Sequence, residues 1–114
     1  MPVTIYHNPR CSKSRETLQL IRESGFQPHI IEYMDSPPSV ETLRDLLKKL
    51  GMQASDLVRH NETAFRDMKL ASADEQTLIE AMSREPRLIQ RPIVVRGRQA
   101  RLGRPPEDVL EILE

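Results

Sequence analysis

Cys11 is the only cysteine of the chain, and it stands in the segment YHNPRCSKSRE. One cysteine excludes an intrachain disulfide and any cysteine-built zinc cluster. A solitary cysteine is ordinarily a small buried hydrophobe. Here its neighbours are Asn8, Pro9, Arg10, Ser12, Lys13 and Ser14, none of which belongs in a core. The other reading is a thiol that reacts. The segment hands a predicted strand over to a predicted helix, and a helix N-terminus offers free N–H groups and partial positive charge. A thiolate is stabilised there. A free thiol with a pKa of ~8.5 is only a few per cent ionised at neutral pH, whereas one at ~6.5 is mostly ionised. Arg10, Lys13 and Arg15 add positive charge nearby, and Ser14, one turn on, has a hydroxyl placed to donate to the sulfur. The expected product is an exposed, nucleophilic thiolate.

Spacing narrows the chemistry. Position 14 is serine, so the motif is C-x-x-S and a dithiol cycle within the chain is excluded. The cysteine-based phosphatase loop needs C-x5-R, but position 17 is Thr17. What remains is one-thiol chemistry, in which an external thiol such as glutathione resolves any adduct or disulfide on Cys11. His7 lies just upstream. It either tunes the thiolate or is a turn histidine bonded to backbone. His29 and His60 have surface roles, and the three histidines show no metal-ligand spacing. Pro92 opens the apolar run PIVV, and by sequence alone a strand-start proline is favoured over a cis peptide.

The elements that must position these residues follow from periodicity and turn chemistry. Val3 to Tyr6 is predicted as a strand, His7 to Arg10 as a turn and Ser12 to Ser24 as a helix that Gly25 stops. His29 to Tyr33 is a second strand, parallel to the first. Ser39 caps a helix with Val40, Leu43, Leu46, Leu47 and Leu50 on one face. Asn61 is expected to cap a short helix over Glu62 to Met68, and Ser72 with Glu75 has capping-box spacing for another. Pro92 to Arg96 and Gln99 to Gly103 flank Gly97 as an antiparallel hairpin. A last helix starts at Pro105 and Pro106 and buries Val109, Leu110, Ile112 and Leu113. The order β-α-β, helices, β-β-α gives a small mixed sheet covered by helices.

Composition bounds the rest. The 114 residues fit one domain with a modest core. Trp is absent and aromatics are 4%, so Leu, Ile and Val fill that core. Apolar runs reach only about four residues, too short for a membrane span, and MPVTIY lacks the basic-then-apolar pattern of a leader, so no signal peptide is expected. With a free cysteine, this reads as cytoplasmic. Seventeen basic and seventeen acidic residues give no net charge, hence no global support for nucleic-acid binding. Thirteen of the basic residues are Arg, whose planar fork matches oxyanions, a bias that matters only where several converge.

YHNPRCSKSRETL, the RPIVV strand and the LGRPPE segment, in that order, together resemble the glutaredoxin-coupled arsenate reductase (ArsC) family, most closely its short YfgD-like branch. The resemblance covers nearly the whole chain. It implies a thioredoxin-like α/β fold: one domain over residues 1–114, with a mixed four-stranded sheet and an inserted helical segment at about 39–84. It implies that Cys11 is the catalytic cysteine and that His7 and Ser14 tune it. Arg59 in LVRHNE, Arg91 in QRPIVV and Arg104 in LGRPPE match the oxyanion-binding arginines, and Pro92 becomes a cis-proline. The implied activity is reduction of arsenate to arsenite, with no bound cofactor or metal, glutathione as co-substrate and glutaredoxin as partner. The chain stops at Glu114, where the arsenic-resistance members carry a longer tail. Two other readings are a monothiol glutathione-dependent transferase, and a regulator like the Spx proteins that bind RNA polymerase. Ser14 argues against the second, because those proteins switch through C-x-x-C.

Overall fold

The computed structural model describes all residues from Met1 to Glu114. They form two compact units, one made of Met1–Ser36 with Arg91–Glu114 and one made of Pro37–Gln90. No helix is long and apolar enough to cross a membrane.

The first unit carries the sheet. Strand β1 (Val3–His7) leads into helix α1 (Ser12–Glu23) and strand β2 (His29–Glu32), and after the second unit come β3 (Ile93–Arg96), β4 (Gln99–Leu102) and α6 (Leu110–Leu113). The sheet order is β2-β1-β3-β4. β1 and β2 are parallel with Ile5 opposite Ile30, whereas β1–β3 and β3–β4 are antiparallel. Alternation along β1 buries Val3, Ile5 and His7, as a strand with one covered face requires. Val3, Ile5 and Val94 of the sheet pack with Leu18 and Ile21 of α1 and with Val109, Ile112 and Leu113 at the C-terminus. This is the mixed four-stranded sheet that the sequence predicted, and the helical segment is inserted between β2 and β3.

The second unit is helical: α2 (Val40–Leu50), α3 (Ala54–Leu57), α4 (Thr63–Asp67) and α5 (Glu75–Arg84). Ser39 caps α2 by accepting the Thr42 N–H, and Gly51 ends it in the left-handed region at φ 69°. α2 packs on α5, and Leu43, Leu46 and Leu47 of the first and Leu78, Ile79 and Met82 of the second are buried in this unit's core. An isolated bridge between Val58 and Ile89 closes the unit's later half.

Local signals misplaced several boundaries. Asp74, not Ser72, caps α5, its carboxylate accepting the Thr77 N–H at 2.9 Å. Ser72 ends a 3-10 turn over Leu70–Ser72. The Glu75 of the supposed box instead holds the Ala54 N–H, both oxygens at 3.0 Å, a partner 21 positions away. Glu62 rather than Asn61 precedes α4. The sequence reading missed α3, where the Asp56 carboxylate accepts the Gln53 N–H at 3.1 Å. Leu110, expected inside, is 37% exposed. The last segment starts as a 3-10 turn over Pro106–Val109, and three residues per turn shift the buried face to Val109, Ile112 and Leu113.

Candidate active site

Cys11 is the N-cap of α1, in extended conformation at φ −98° and ψ 124°. Its N–H donates to the Asn8 carbonyl at 3.0 Å, and its own carbonyl accepts the Arg15 N–H at 3.0 Å. Asn8 Oδ1 accepts the Arg10 N–H at 3.0 Å. These bonds wind residues 8–11 into a turn that places the sulfur over the helix start. The thiol is free and partly exposed, outside the core.

The side chain makes no capping hydrogen bond. Burial, the largest single influence, pushes its pKa up. The backbone N–H of Ser14, the charge of Arg91, the N–H of Lys13 and a hydrogen bond from the Arg91 side chain act against burial, and together they hold the Cys11 thiol below its ordinary value. The cation that matters is thus 80 positions away in sequence. The nearer cations turn elsewhere: Arg15 Nη1 donates to the Pro9 carbonyl at 2.8 Å, and Lys13 faces Glu16 at 3.8 Å.

The Ser14 hydroxyl was expected to point at the sulfur. Instead it shares a 2.6 Å hydrogen bond with His7 Nδ1 and accepts the Asn8 N–H at 3.0 Å, and it is the Ser14 backbone N–H that favours the thiolate. A serine with no exposed surface needs both partners. His7 is buried, chiefly by which its pKa is lowered; Glu32 opposes this, and Arg22 and Arg15 assist it. Burial thus favours the neutral imidazole, which ties the end of β1 to the first turn of α1.

Arg91 and Arg104 meet in the same unit, Arg104 Nη1 donating to the Arg91 carbonyl at 3.3 Å. The Arg91 Nε–H is buried and has no hydrogen-bond partner. The Arg91–Pro92 peptide is cis, and so is Arg104–Pro105, which no sequence signal had separated from an ordinary helix start. Between them lies Gly103, whose N–H donates to the Pro92 carbonyl at 2.9 Å. A Cβ at Gly103 would come within 2.5 Å of Thr17 Oγ1 and 2.8 Å of Pro92 Cγ. Only glycine lets the chain just after β4 lie this close under α1. Gly103 and Thr17 were not singled out as site residues. A glycine following a strand is the one available signal, because it marks close backbone approach.

Arg59 belongs to the helical unit. Its N–H donates to the Leu88 carbonyl at 2.7 Å, and its Nη1 reaches the Arg87 carbonyl at 3.3 Å and Glu62 Oε2 at 3.0 Å. His60 lies against Phe65, with its Nε2 at 2.8 Å from the Ser55 carbonyl. No group of three or more His, Cys, Asp or Glu is placed to hold a metal ion.

A half-exposed thiol whose pKa is held below its ordinary value, beside a guanidinium with an unused buried donor, suits nucleophilic attack on an oxyanion. Known proteins point the same way. The ArsC family matches residues 6–112. YfgD of Escherichia coli (strain K12) is 54% identical over 97% of this chain and 96% of its own length. An arsenate reductase of Haemophilus influenzae is 45% identical over 99% of this chain and all of its own. The solved arsenate reductase from Vibrio cholerae superimposes with a TM-score of 0.95 at 47% identity, covering 98% of each chain. With its mixed sheet, its helical insert and its cysteine at the start of α1, this thioredoxin-like chain is a member of the ArsC family.

Proposed function

We propose that the protein is a one-cysteine arsenate reductase that draws its electrons from glutathione and glutaredoxin. The observation that carries this reading is the Cys11 thiol held below its ordinary pKa by Ser14, Arg91 and Lys13, with the Arg91 Nε–H left unsatisfied beside it. Arsenate is a tetrahedral oxyanion, doubly charged near neutral pH. Bringing it to a thiolate sets like charges together, and guanidinium groups offset that repulsion while offering paired N–H donors. Arg91 and Arg104 supply two such groups, and Arg59, in the helical unit, matches the family's third oxyanion-binding arginine.

The Cys11 thiolate attacks arsenic, and an arsenic–oxygen bond breaks as a protonated oxygen leaves as water. The thiol of glutathione then attacks arsenic in the adduct, forming a second arsenic–sulfur bond as a second arsenic–oxygen bond breaks and its oxygen leaves as water. Two electrons take arsenic from the pentavalent to the trivalent state. They arrive when a glutaredoxin thiolate attacks the arsenic-bound glutathione sulfur: the bond from that sulfur to arsenic breaks, its electron pair stays on arsenic, and glutathione and glutaredoxin end joined as a mixed disulfide. Hydrolysis of the arsenic–sulfur bond releases arsenite and restores Cys11. His7 and Ser14 act by holding the turn that presents the sulfur and by setting its basicity. The cycle needs no metal or bound cofactor. It needs a free thiol, which a reducing cytoplasm maintains.

The test is arsenate-dependent oxidation of glutathione in the presence of glutaredoxin. The parent protein turns over and Cys11→Ser does not. Arsenate-independent activity on a glutathionylated substrate, unaffected by Arg91→Ala, would replace this reading with that of a monothiol transferase.

A further inference from the structure

A cleft of about 410 Å³ opens beside the Cys11 turn, walled by residues 7–10 on one side and by Glu32, Met34 and Asp35 on the other. It lies at the carboxyl ends of β1 and β2, which are parallel and pair His7 with Glu32. That edge of an open α/β sheet is where ligands are generally received. The far wall is a hydrogen-bonded turn, the Glu32 carbonyl accepting the N–H of both Asp35 and Ser36 at 3.0 Å. The turn brings two carboxylates back to one side of the cleft. Arg10, the residue before Cys11, faces it from the other wall.

The chemistry of these walls is specific. Arg10, Glu32 and Asp35 form no ion pair and no side-chain hydrogen bond with the rest of the chain. Met34, 39% exposed, is one of only three large hydrophobic residues left open to solvent. One guanidinium and two carboxylates around a short apolar wall complement an amino-acid head group, which carries an ammonium and a carboxylate on one carbon. They do not complement a tetrahedral dianion, which the two carboxylates would repel. The cleft therefore has a different ligand from the arginine-lined side of the cysteine.

We infer that this cleft seats the γ-glutamyl end of the thiol reductant, Glu32 and Asp35 taking its ammonium, Arg10 its carboxylate, and Met34 the methylene chain between them. The inference rests on the glutathione reading above. Arg10 and Cys11 are consecutive, about 3.8 Å apart at Cα, so a peptide held by its head on Arg10 enters beside the turn that carries the adduct. Oxyanion and reductant would then approach the sulfur from opposite sides of β1, the first from the β3 side and the second from the β2 side.

The probe is S-methylglutathione, which keeps the head group and cannot react. In the parent protein it should shift the backbone amide resonances of Arg10, Met34 and Asp35 in a saturable way. Glu32→Gln, Asp35→Asn and Arg10→Gln should each weaken its binding about fivefold. The KM for glutathione should rise in step, while the KM for arsenate stays that of the parent. Variants that bind S-methylglutathione as the parent does, in a protein whose turnover depends on glutathione, overturn the assignment of the cleft alone. A parent protein that reduces arsenate with no dependence on glutathione overturns the glutathione reading and this inference together.

Discussion

Gly103→Ala is the sharpest probe of how the fold holds the site. The added Cβ would lie 2.5 Å from Thr17 Oγ1, 2.8 Å from Pro92 Cγ and 3.0 Å from Thr17 Cγ2, all well inside the 3.4 Å at which ordinary contact begins. Neither neighbour yields easily. Thr17 has no exposed surface, and its hydroxyl donates to the Lys13 carbonyl at 2.7 Å. Pro92 is a rigid ring whose carbonyl is already bonded to the Gly103 N–H. Overpacking of this kind costs about 1–3 kcal/mol. At roughly 4 °C per kcal/mol for a chain of this size, Tm should fall by about 4–12 °C.

A double-mutant cycle makes the argument specific. Thr17→Ala removes both threonine atoms that the new Cβ meets, so the double variant should be less destabilised than the sum of the single ones, by about 1 kcal/mol or more. Lys13 and Thr17 lie on the turn of α1 that follows Cys11, so a displaced helix should also slow alkylation of the thiol at neutral pH. Thermal melts followed by circular dichroism and the iodoacetamide rate measure both. A Gly103→Ala melt within a degree of the parent, or strictly additive single variants, would refute the packing argument.

Arg91→Ala removes two of the influences that lower the Cys11 pKa, so the pH profile of alkylation should move to higher pH and the rate at pH 7 should fall; an unmoved profile would show that the helix N–H groups act without it. His7 has a folded pKa below its usual ~6.5, so the unfolded chain binds the proton more readily. The stability held above that value should drain away as pH falls from ~6.5 through the folded pKa. In His7→Gln this portion of the pH dependence should vanish from denaturant melts taken between pH 7 and 5. Ser39→Ala should cost about 1 kcal/mol through loss of its cap, measured by urea unfolding. Asp74→Ala should lower Tm, whereas Ser72→Ala should leave it nearly unchanged because Ser72 caps nothing; a larger effect at Ser72 would reverse the assignment.

The sequence by itself determined what depends on near neighbours. The polar flanks of Cys11 kept it out of the core, the strand-to-helix handover set it at the start of α1, and C-x-x-S limited the chain to one thiol. The β-α-β and hairpin patterns likewise fixed the kinds of elements and their order, because strand alternation, glycine stops and helix periodicity are local properties. The tertiary structure decided which groups touch. Arg91, not the adjacent Arg10 or Lys13, favours the thiolate, because the β1–β3 pairing carries it there while Arg15 and Lys13 find partners of their own. The Ser14 hydroxyl turns from the sulfur to His7, and Glu75 leaves its own helix start for Ala54. In each case a local rule offered a side chain one partner and the packed fold offered a better one. Hydrogen bonds and charges act over a few ångströms in space, and a chain brings distant positions within that range only once it has folded.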